Sequence, residues 1–223
     1  DQPRYLRIEA ASMMEALRSL THPNGRLALF NDATRDIAPD TATLLQYADN
    51  VVGRKTKQRV SLPESGYYVH EGDSLYCIID GGRAGPDHLM AHAHADIFSY
   101  ELCAEECMFV VDTGVYEYRA GEMRGYVRST AAHNTVSIDG QSQIEPWDAF
   151  RVGRRAAPCD VRYEQKKGKS KFSGVFEGYA GILGDDIVHQ RKITVEEGKS
   201  VLQVDDKVNG RGIHCVESRV HLH

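Results

Sequence analysis

Short apolar stretches alternate with turn signals from about residue 61 to the end of the chain. Two-residue signals such as Lys167-Gly168, Glu197-Gly198 and Asn209-Gly210 punctuate this region. The stretches between turns have the length of strands, and we expect strands at 159–164, 171–178, 187–195, 200–208 and 213–221. Strands at this spacing, joined by tight turns, are typical of antiparallel sandwiches. The sequence therefore predicts a mainly β fold, an antiparallel β-sandwich over residues 59–223.

The first 58 residues have a different pattern. Apolar side chains, among them Leu6 and Met13, fall near helical spacing between residues 4 and 20. A second helix is expected to begin near Thr41, with Asp40 or Thr41 as its cap, and to run to about Val52. Two helices with short connections bury too little surface to form a core. We therefore interpret residues 1–58 as the tail of a larger helical domain.

The charge and hydropathy of the chain argue against two kinds of partner. The formal net charge is −5 and the pI is about 6.1, so the basic surface of a nucleic-acid-binding protein is not expected. No run of about eighteen apolar residues is present, and no membrane span is expected. An anionic partner remains compatible with the sequence, because a local cluster of arginines can act inside an acidic protein.

Side chains suited to metal binding and proton transfer concentrate between His92 and His133. His92, His94 and Asp96 occupy alternate positions, and in an extended segment they point to one side. Two imidazoles and a carboxylate are usual ligands of Zn²⁺, although an isolated His-x-His pair is more often a surface or core feature. Asp112 and His133 add two further donors nearby, so the stretch predicts a functional site.

Four motifs, taken in order and at their natural spacing, resemble the heparinase II/III family of polysaccharide lyases, which includes heparin and alginate lyases. The motifs are Pro63-Glu64-Ser65-Gly66-Tyr67-Tyr68-Val69, His92-Ala93-His94-Ala95-Asp96, Val111-Asp112-Thr113-Gly114-Val115-Tyr116 and Arg128-Ser129-Thr130-Ala131-Ala132-His133-Asn134-Thr135-Val136.

The resemblance implies an N-terminal α/α toroid joined to a C-terminal antiparallel β-sandwich. Residues 1–58 would then be the last toroid helices and residues 59–223 most of the sandwich, with the natural protein continuing beyond both ends. A periplasmic or secreted location is also implied, although no signal peptide opens this chain. The implied partner is an acidic polysaccharide.

The resemblance further implies one divalent metal ion, usually zinc, at the junction of the two domains. It assigns the ligands to His94, Asp112 and His133, and leaves His92 and Asp96 outside the ligand set.

That assignment meets a geometric difficulty in the strands. If Glu105-Glu106 is a two-residue turn, Ser99 pairs with Asp112, and strict alternation places His94 on the opposite face of the sheet. We therefore expect a break or bulge between Asp96 and Ser99, or a position of His94 on a loop.

The resemblance makes His92 a candidate catalytic histidine near the substrate. The alternative for His92 is a role in orienting the metal site.

Tyr118 is the best match to the family's catalytic phenol, because of its place between the Asp and His motifs. Tyrosines on a sheet are usually packing residues, and we expect packing for at least two of Tyr116, Tyr118 and Tyr126.

Arg128 and Asn134 are predicted to contact the carboxylate of an acidic sugar, because a guanidinium binds a carboxylate in bidentate fashion. A backbone-capping role is the alternative for Asn134. Arg124 could equally face the sugar or form a surface ion pair. Trp147 could stack on a sugar or pack at the domain junction.

The leading functional hypothesis is a polysaccharide lyase that cleaves uronate-containing chains by β-elimination. One alternative is a metal-stabilised β-sandwich that binds glycans without catalysis. Another is a metal-dependent hydrolase, which needs an open metal position and a nearby carboxylate base. The resemblance places an essential Tyr and a His or Asn on the toroid, upstream of residue 1, so this chain alone is expected to have little or no lyase activity.

Overall fold

The computed structural model of the protein describes residues 2–53, 55–184 and 186–223. The helices are α1 (Gln2–Ser19), α2 (Thr41–Val52), α3 (Glu122–Arg128) and α4 (Ala180–Leu183). The first strands are β1 (Ser61–Leu62), β2 (Tyr67–Glu71), β3 (Leu75–Asp80), β4 (Tyr100–Ala104), β5 (Cys107–Val110), β6 (Val136–Ile138), β7 (Pro146–Trp147) and β8 (Arg151–Val152). They are followed by β9 (Cys159–Lys166), β10 (Lys169–Phe176), β11 (Val188–Glu196), β12 (Val201–Asn209) and β13 (Val216–Ser218).

Two antiparallel sheets form the main body of the structure. One has the strand order β1-β2-β3-β4-β5 and the other the order β12-β11-β10-β9. Their facing sides share one hydrophobic core, to which the first sheet contributes Tyr68 and Ile79 and the second Phe172 and Ile193. Burial of this apolar surface is the main favourable contribution to folding. The predicted mainly β, antiparallel sandwich is confirmed.

Most predicted strands lie within two residues of their observed positions. The turn between β9 and β10 has positive φ at Lys167 (47°) and Gly168 (71°), as a two-residue hairpin turn requires. The predicted strand at 213–221 is wrong in length. Only Val216–Ser218 is a strand, and it pairs with β6. The chain then runs to the edge of β5, where Leu222 forms a bridge with Val110.

The helices α1 and α2 match the predicted ranges closely. The side chain of Asp40 caps α2 by accepting a 2.9 Å hydrogen bond from the backbone N–H of Thr43. Leu6 and Met13, two of the apolar residues at helical spacing, are nevertheless exposed, at 64% and 66%. That α1 and α2 end a larger toroid stays a prediction. No helix among the described residues has the length and apolar character needed to cross a membrane.

A buried hydrogen bond between two side chains ties the helical segment to the first sheet. The Nε2 atom of His22 lies 2.6 Å from Oε2 of Glu101, and both side chains are fully buried. The other oxygen of Glu101 accepts the backbone N–H groups of Leu29 (3.1 Å) and Asp112 (3.0 Å). One carboxylate therefore holds the end of the helical segment and the start of the Asp112 motif together.

Candidate functional site

The segment His92–Asp96 lies on a loop that precedes β4. The turn at Glu105-Glu106 joins β4 to β5, and the register of this pair shifts between Leu102 and Cys103. Phe98 has a φ of 67°, which is unusual for a bulky residue and turns the chain sharply before the strand. The loop position expected as one solution for His94 is therefore confirmed. Strict alternation does not apply, because His94 is not on a strand.

Asp32 is the centre of the first half of the site. Its Oδ1 lies 2.8 Å from Nε2 of His94, and its Oδ2 lies 2.8 Å from Nδ1 of His92. Arg124 binds both oxygens, with a 2.8 Å bond from its second terminal nitrogen to Oδ2. Burial raises the pKa of the Asp32 carboxyl, but the bonds from His94, Arg124 and His92 outweigh that effect and hold the pKa well below its usual range.

Asp112 and His133 form the second half of the site. The Nδ1 atom of His133 lies 2.8 Å from Oδ1 of Asp112. The other oxygen of Asp112 accepts a 2.8 Å hydrogen bond from the hydroxyl of Ser99. Burial disfavours the charged imidazole, yet the Asp112 carboxylate raises the pKa of His133, and His133 in turn lowers the pKa of Asp112 against the effect of burial.

The two halves meet at the rings of His94 and His133, whose centroids are 5.3 Å apart. Both side chains are fully buried, and burial lowers the pKa of His94. An ionised carboxylate only accepts hydrogen bonds, so the nitrogens facing Asp32 and Asp112 carry the protons. The remaining nitrogens, Nδ1 of His94 and Nε2 of His133, are buried and have no partner within the described part of the chain.

These observations test whether the residues suit zinc. Two neighbouring buried imidazoles, each with a free lone pair, beside the carboxylate of Asp112 are a donor set that fits Zn²⁺. In the described residues, no group of three or more His, Cys, Asp or Glu side chains is arranged as ligands around one metal position. Both oxygens of Asp112 are hydrogen bonded, to His133, Ser99 and the backbone N–H of Thr113.

Asp96 lies beside the two imidazoles, and its side chain is fully buried. Its Oδ2 accepts a 3.1 Å hydrogen bond from the backbone N–H of Asn31, while Oδ1 has no partner among the described residues. Burial raises the pKa of Asp96, and the nearby histidines oppose the rise.

His92 is the part of this cluster that reaches solvent, since 58% of its side chain is exposed. Its ring packs edge-on against Tyr118 (6.1 Å between centroids) and Phe150 (6.3 Å). The guanidinium of Arg124 lies beneath both aromatic rings, 5.2 Å from the centroid of Tyr118 and 5.6 Å from that of Phe150. The structure therefore brings His92 and Tyr118, the two predicted catalytic residues, together at the surface.

A cavity of about 620 Å³ opens beside His92. Its lining includes Asn31, Tyr67 and Arg83, together with the loop Pro63–Gly66 from the first of the four motifs. Such a volume is in the range of small-molecule sites in proteins, about 300–1,000 Å³. A ligand bound here would contact His92 at the edge of the cavity.

The predicted substrate contacts of Arg128 and Asn134 need correction, because both side chains are fully buried. Arg128 donates hydrogen bonds to the carbonyls of Ala93 (3.1 Å) and Asp148 (3.1 Å). The Asn134 amide donates to the carbonyls of Tyr100 and Val111, both at 2.9 Å. These side chains hold the backbone around the site, and neither is placed to meet a ligand from solvent.

Other predicted contacts are also revised by the structure. Arg124 is neither a sugar contact nor a surface ion pair, since it is fully buried against Asp32. The packing role expected for at least two of the three tyrosines is wrong, because Tyr116, Tyr118 and Tyr126 are 74%, 46% and 45% exposed. Trp147 is half exposed, with the guanidinium of Arg151 at 4.7 Å from its ring centroid.

Comparison with known proteins decides the family. A protein-family model described as "Heparinase II/III-like, C-terminal" matches residues 54–223. The chain belongs to this family. The motifs that resemble heparinase II/III thus lie in a chain that the family model matches over most of its length. A search of curated proteins gave no match.

Solved structures share the fold of this heparinase II/III-like chain. A mutant of heparan sulfate lyase HepC from Pedobacter heparinus superposes with a TM-score of 0.67 at 18% identity, over 95% of this chain and 34% of that one. Heparinase III gives 0.63 at 20% identity, over 93% and 34%. The chain therefore spans about a third of the length of these structures.

Sequence reasoning missed Asp32 as a residue of the site. It also missed that Arg124 is buried within the site. Asp32 lies sixty residues before His92 in a loop that reads as merely polar. Arg124 lies on α3, a seven-residue helix too short to show apolar periodicity. The sequence contained one indirect signal for the Asp32 loop, the glycine at position 114. Gly114 has a φ of 58°, and a side chain there would meet the carbonyl of Ala33 at 2.4 Å, so the glycine marks a close backbone approach.

Proposed function

We propose that this chain is the sandwich part of a polysaccharide lyase that cleaves uronate-containing chains by β-elimination. The observation that carries the proposal is the position of His92. This imidazole is exposed and lines a cavity, while its Nδ1 contacts a buried carboxylate. Family membership supports lyase chemistry, and the similar solved structures include a heparan sulfate lyase and a heparinase III.

β-Elimination places definite demands on the protein. A base removes the proton at C5 of the uronate, the electrons form a C4–C5 double bond, and the 4-O-linked sugar leaves with a proton from an acid. Negative charge develops on the uronate carboxylate and must be stabilised, and each well-placed donor contributes about 3–4 kcal/mol. A lyase site therefore needs a base, an acid and a positive or hydrogen-bonding group.

His92 and Tyr118 are assigned to proton transfer. With Nδ1 of His92 donating to Asp32, the exposed Nε2 is free to accept the C5 proton. The Tyr118 ring lies against His92, which suits its phenol for proton transfer to or from the leaving oxygen. The carboxylate contact first assigned to Arg128 and Asn134 is given to Arg83, whose side chain is 63% exposed and lines the cavity.

Zinc is proposed as the resident ion, held by His94, Asp112 and His133. The unpartnered nitrogens of His94 (Nδ1) and His133 (Nε2), together with the carboxylate of Asp112, would supply the donor atoms. Bound to these residues, zinc would fix the loops that carry His92 and Asp112, and its role would be structural. The protein residues retain all the proposed proton transfers.

The zinc proposal predicts one ion per chain. Chelation, or the substitution His94→Ala, is expected to lower the melting temperature, because the ion binds only the folded chain. Elemental analysis of chelator-free protein and a thermal melt with and without chelator measure both effects. His88→Ala is the matched control, since His88 lies in the preceding loop and is exposed. Well under one metal ion per chain would contradict the proposal.

The activity itself is tested with the intact protein and with this 223-residue chain. We expect the intact protein to release unsaturated uronate from heparan sulfate or alginate, followed by ultraviolet absorbance. The chain alone is expected to release little or none, because the resemblance places further catalytic groups on the toroid. New reducing ends without absorbance would indicate a hydrolase, and binding without cleavage a glycan-binding module.

A further inference from the structure

We propose that Asp32 is the positioning residue of this site, which holds His92 in the tautomer with Nδ1 protonated and Nε2 free. The link to β-elimination rests on the proposed function, whereas the tautomer of His92 can be measured without it. Asp32 belongs to no motif of the family resemblance, and its role follows from contacts between three separate segments of the chain.

The hydrogen bonds of Asp32 determine which nitrogen of His92 carries a proton. Arg124 binds both carboxylate oxygens and supplies a permanent positive charge, so Asp32 is ionised and can only accept hydrogen bonds. The nitrogen of His92 that lies 2.8 Å from Oδ2 must therefore carry a proton. In neutral His92 the second nitrogen, Nε2, then has a free lone pair.

The carboxylate is fixed in place by its neighbours. Only 5% of the Asp32 side chain is exposed. Asn31 clamps the facing loop, because its Oδ1 accepts the backbone N–H of His94 (3.0 Å) and its backbone N–H donates to Asp96 (3.1 Å). Arg124 is itself anchored by a 2.9 Å hydrogen bond from Nε to the carbonyl of Ala149. These contacts therefore hold the Asp32 carboxylate in a fixed position beside His92.

The exposure of the two histidines separates positioning from simple packing. His94 is buried, and its bond to Asp32 stabilises the fold in the ordinary way for a buried polar group. His92 is 58% exposed, and its Nδ1 would find water without Asp32. A hydrogen bond from this exposed ring to a buried, ionised carboxylate adds little to the stability of the fold. This hydrogen bond instead fixes which nitrogen of the ring carries the proton and which has the free lone pair.

The test replaces Asp32 by asparagine and compares Asp36→Asn. Asp36 lies on the same loop and is exposed, so the control makes the same chemical change away from the histidines. In Asp32→Asn one oxygen becomes an N–H donor, and we expect His92 to lose its preference for the protonated Nδ1. Nitrogen NMR of His92 in the 223-residue chain reads the tautomer directly.

Kinetics of the intact protein give the second measurement. Loss of the correct tautomer is expected to reduce kcat by on the order of 10²–10⁴, with KM changed less than about threefold. Asp36→Asn should leave both values unchanged. If Asp32→Asn does not fold, Asp32→Glu keeps the charge and the acceptor, and should retain the Nδ1–H tautomer with part of kcat.

Three results would overturn the inference. They are an Nε2-protonated His92 in the unaltered chain, an unchanged tautomer in Asp32→Asn, and a changed tautomer with kcat within about threefold of the parent. An intact protein without lyase activity would remove the proposed function instead, and the NMR result would still decide whether Asp32 positions His92.

Discussion

Replacement of Tyr118 by phenylalanine is expected to lower kcat of the proposed lyase by on the order of 10²–10⁴, the usual contribution of a general acid or base. The substitution removes only the phenolic hydroxyl. The aromatic ring keeps its contacts with His92, Phe150 and Arg124, so the melting temperature should change little. Steady-state kinetics on a uronate polymer and a thermal melt measure the two effects.

Two neighbouring tyrosines provide matched controls for this prediction. Tyr116 and Tyr126 are also exposed, and neither has a ring contact with His92 among the described residues. Tyr116→Phe and Tyr126→Phe are expected to stay close to the parent in kcat. If either is inactive while Tyr118→Phe is normal, the assignment of the phenol is wrong. If all three are active, this chain supplies no phenol to the reaction.

Asp206→Asn is expected to destabilise the fold by about 3 kcal/mol, at the low end of the cost of breaking a buried ion pair. Arg191 is buried on β11 and binds both oxygens of Asp206 on β12, each at 2.7 Å. The substitution leaves the buried guanidinium without a counterion, while the 18% exposure of the Asp206 side chain limits the loss. The melting temperature should fall by roughly 6–12 °C.

The substitution of Asp206 is also expected to disturb the site, because Arg191 on β11 contacts the backbone near it. Its NH1 donates hydrogen bonds to the carbonyls of Phe98 (2.9 Å) and Asn134. Asn134 directly follows His133, a proposed zinc ligand, and Phe98 lies four residues after His94. Asp205→Asn is the matched control, since Asp205 is the preceding residue on the same strand and accepts hydrogen bonds from Gln203 rather than from Arg191. A melting temperature unchanged by Asp206→Asn would show that the ion pair adds no net stability.

The same pair gives an acid dependence with a definite sign. Burial raises the pKa of Asp206, but the bonds from Arg191 and His189 lower it well below its usual value. A depressed carboxyl pKa contributes stability that is present above the unfolded pKa, about 3.9, and is lost as pH falls toward the folded pKa. The difference in unfolding free energy between the parent and Asp206→Asn should therefore be constant near neutral pH and shrink below about pH 4.

The local pattern of the sequence was enough for the sandwich strands, because alternation and turns act over a few residues. Lys167-Gly168 supplies the positive φ angles of its hairpin, and Asp40 supplies the cap of α2. The motifs also placed the family, and they brought His94, Asp112 and His133 into one proposed set. For these three residues the structure adds the contacts, with the His133–Asp112 bond at 2.8 Å and the two imidazole rings at 5.3 Å.

Exposure and long-range partners were decided only by the tertiary structure. Arg128 and Asn134 carry side chains suited to a sugar carboxylate, yet the fold buries both against backbone carbonyls. Asp32 has no distinguishing neighbours in the sequence, and its meaning comes from residues sixty or more positions away. Residue type and spacing determine which strands and turns can form and which donors are available. Which donors meet, and which of them face solvent, is fixed only when separate loops pack together, because that packing is not encoded in any one stretch of the chain.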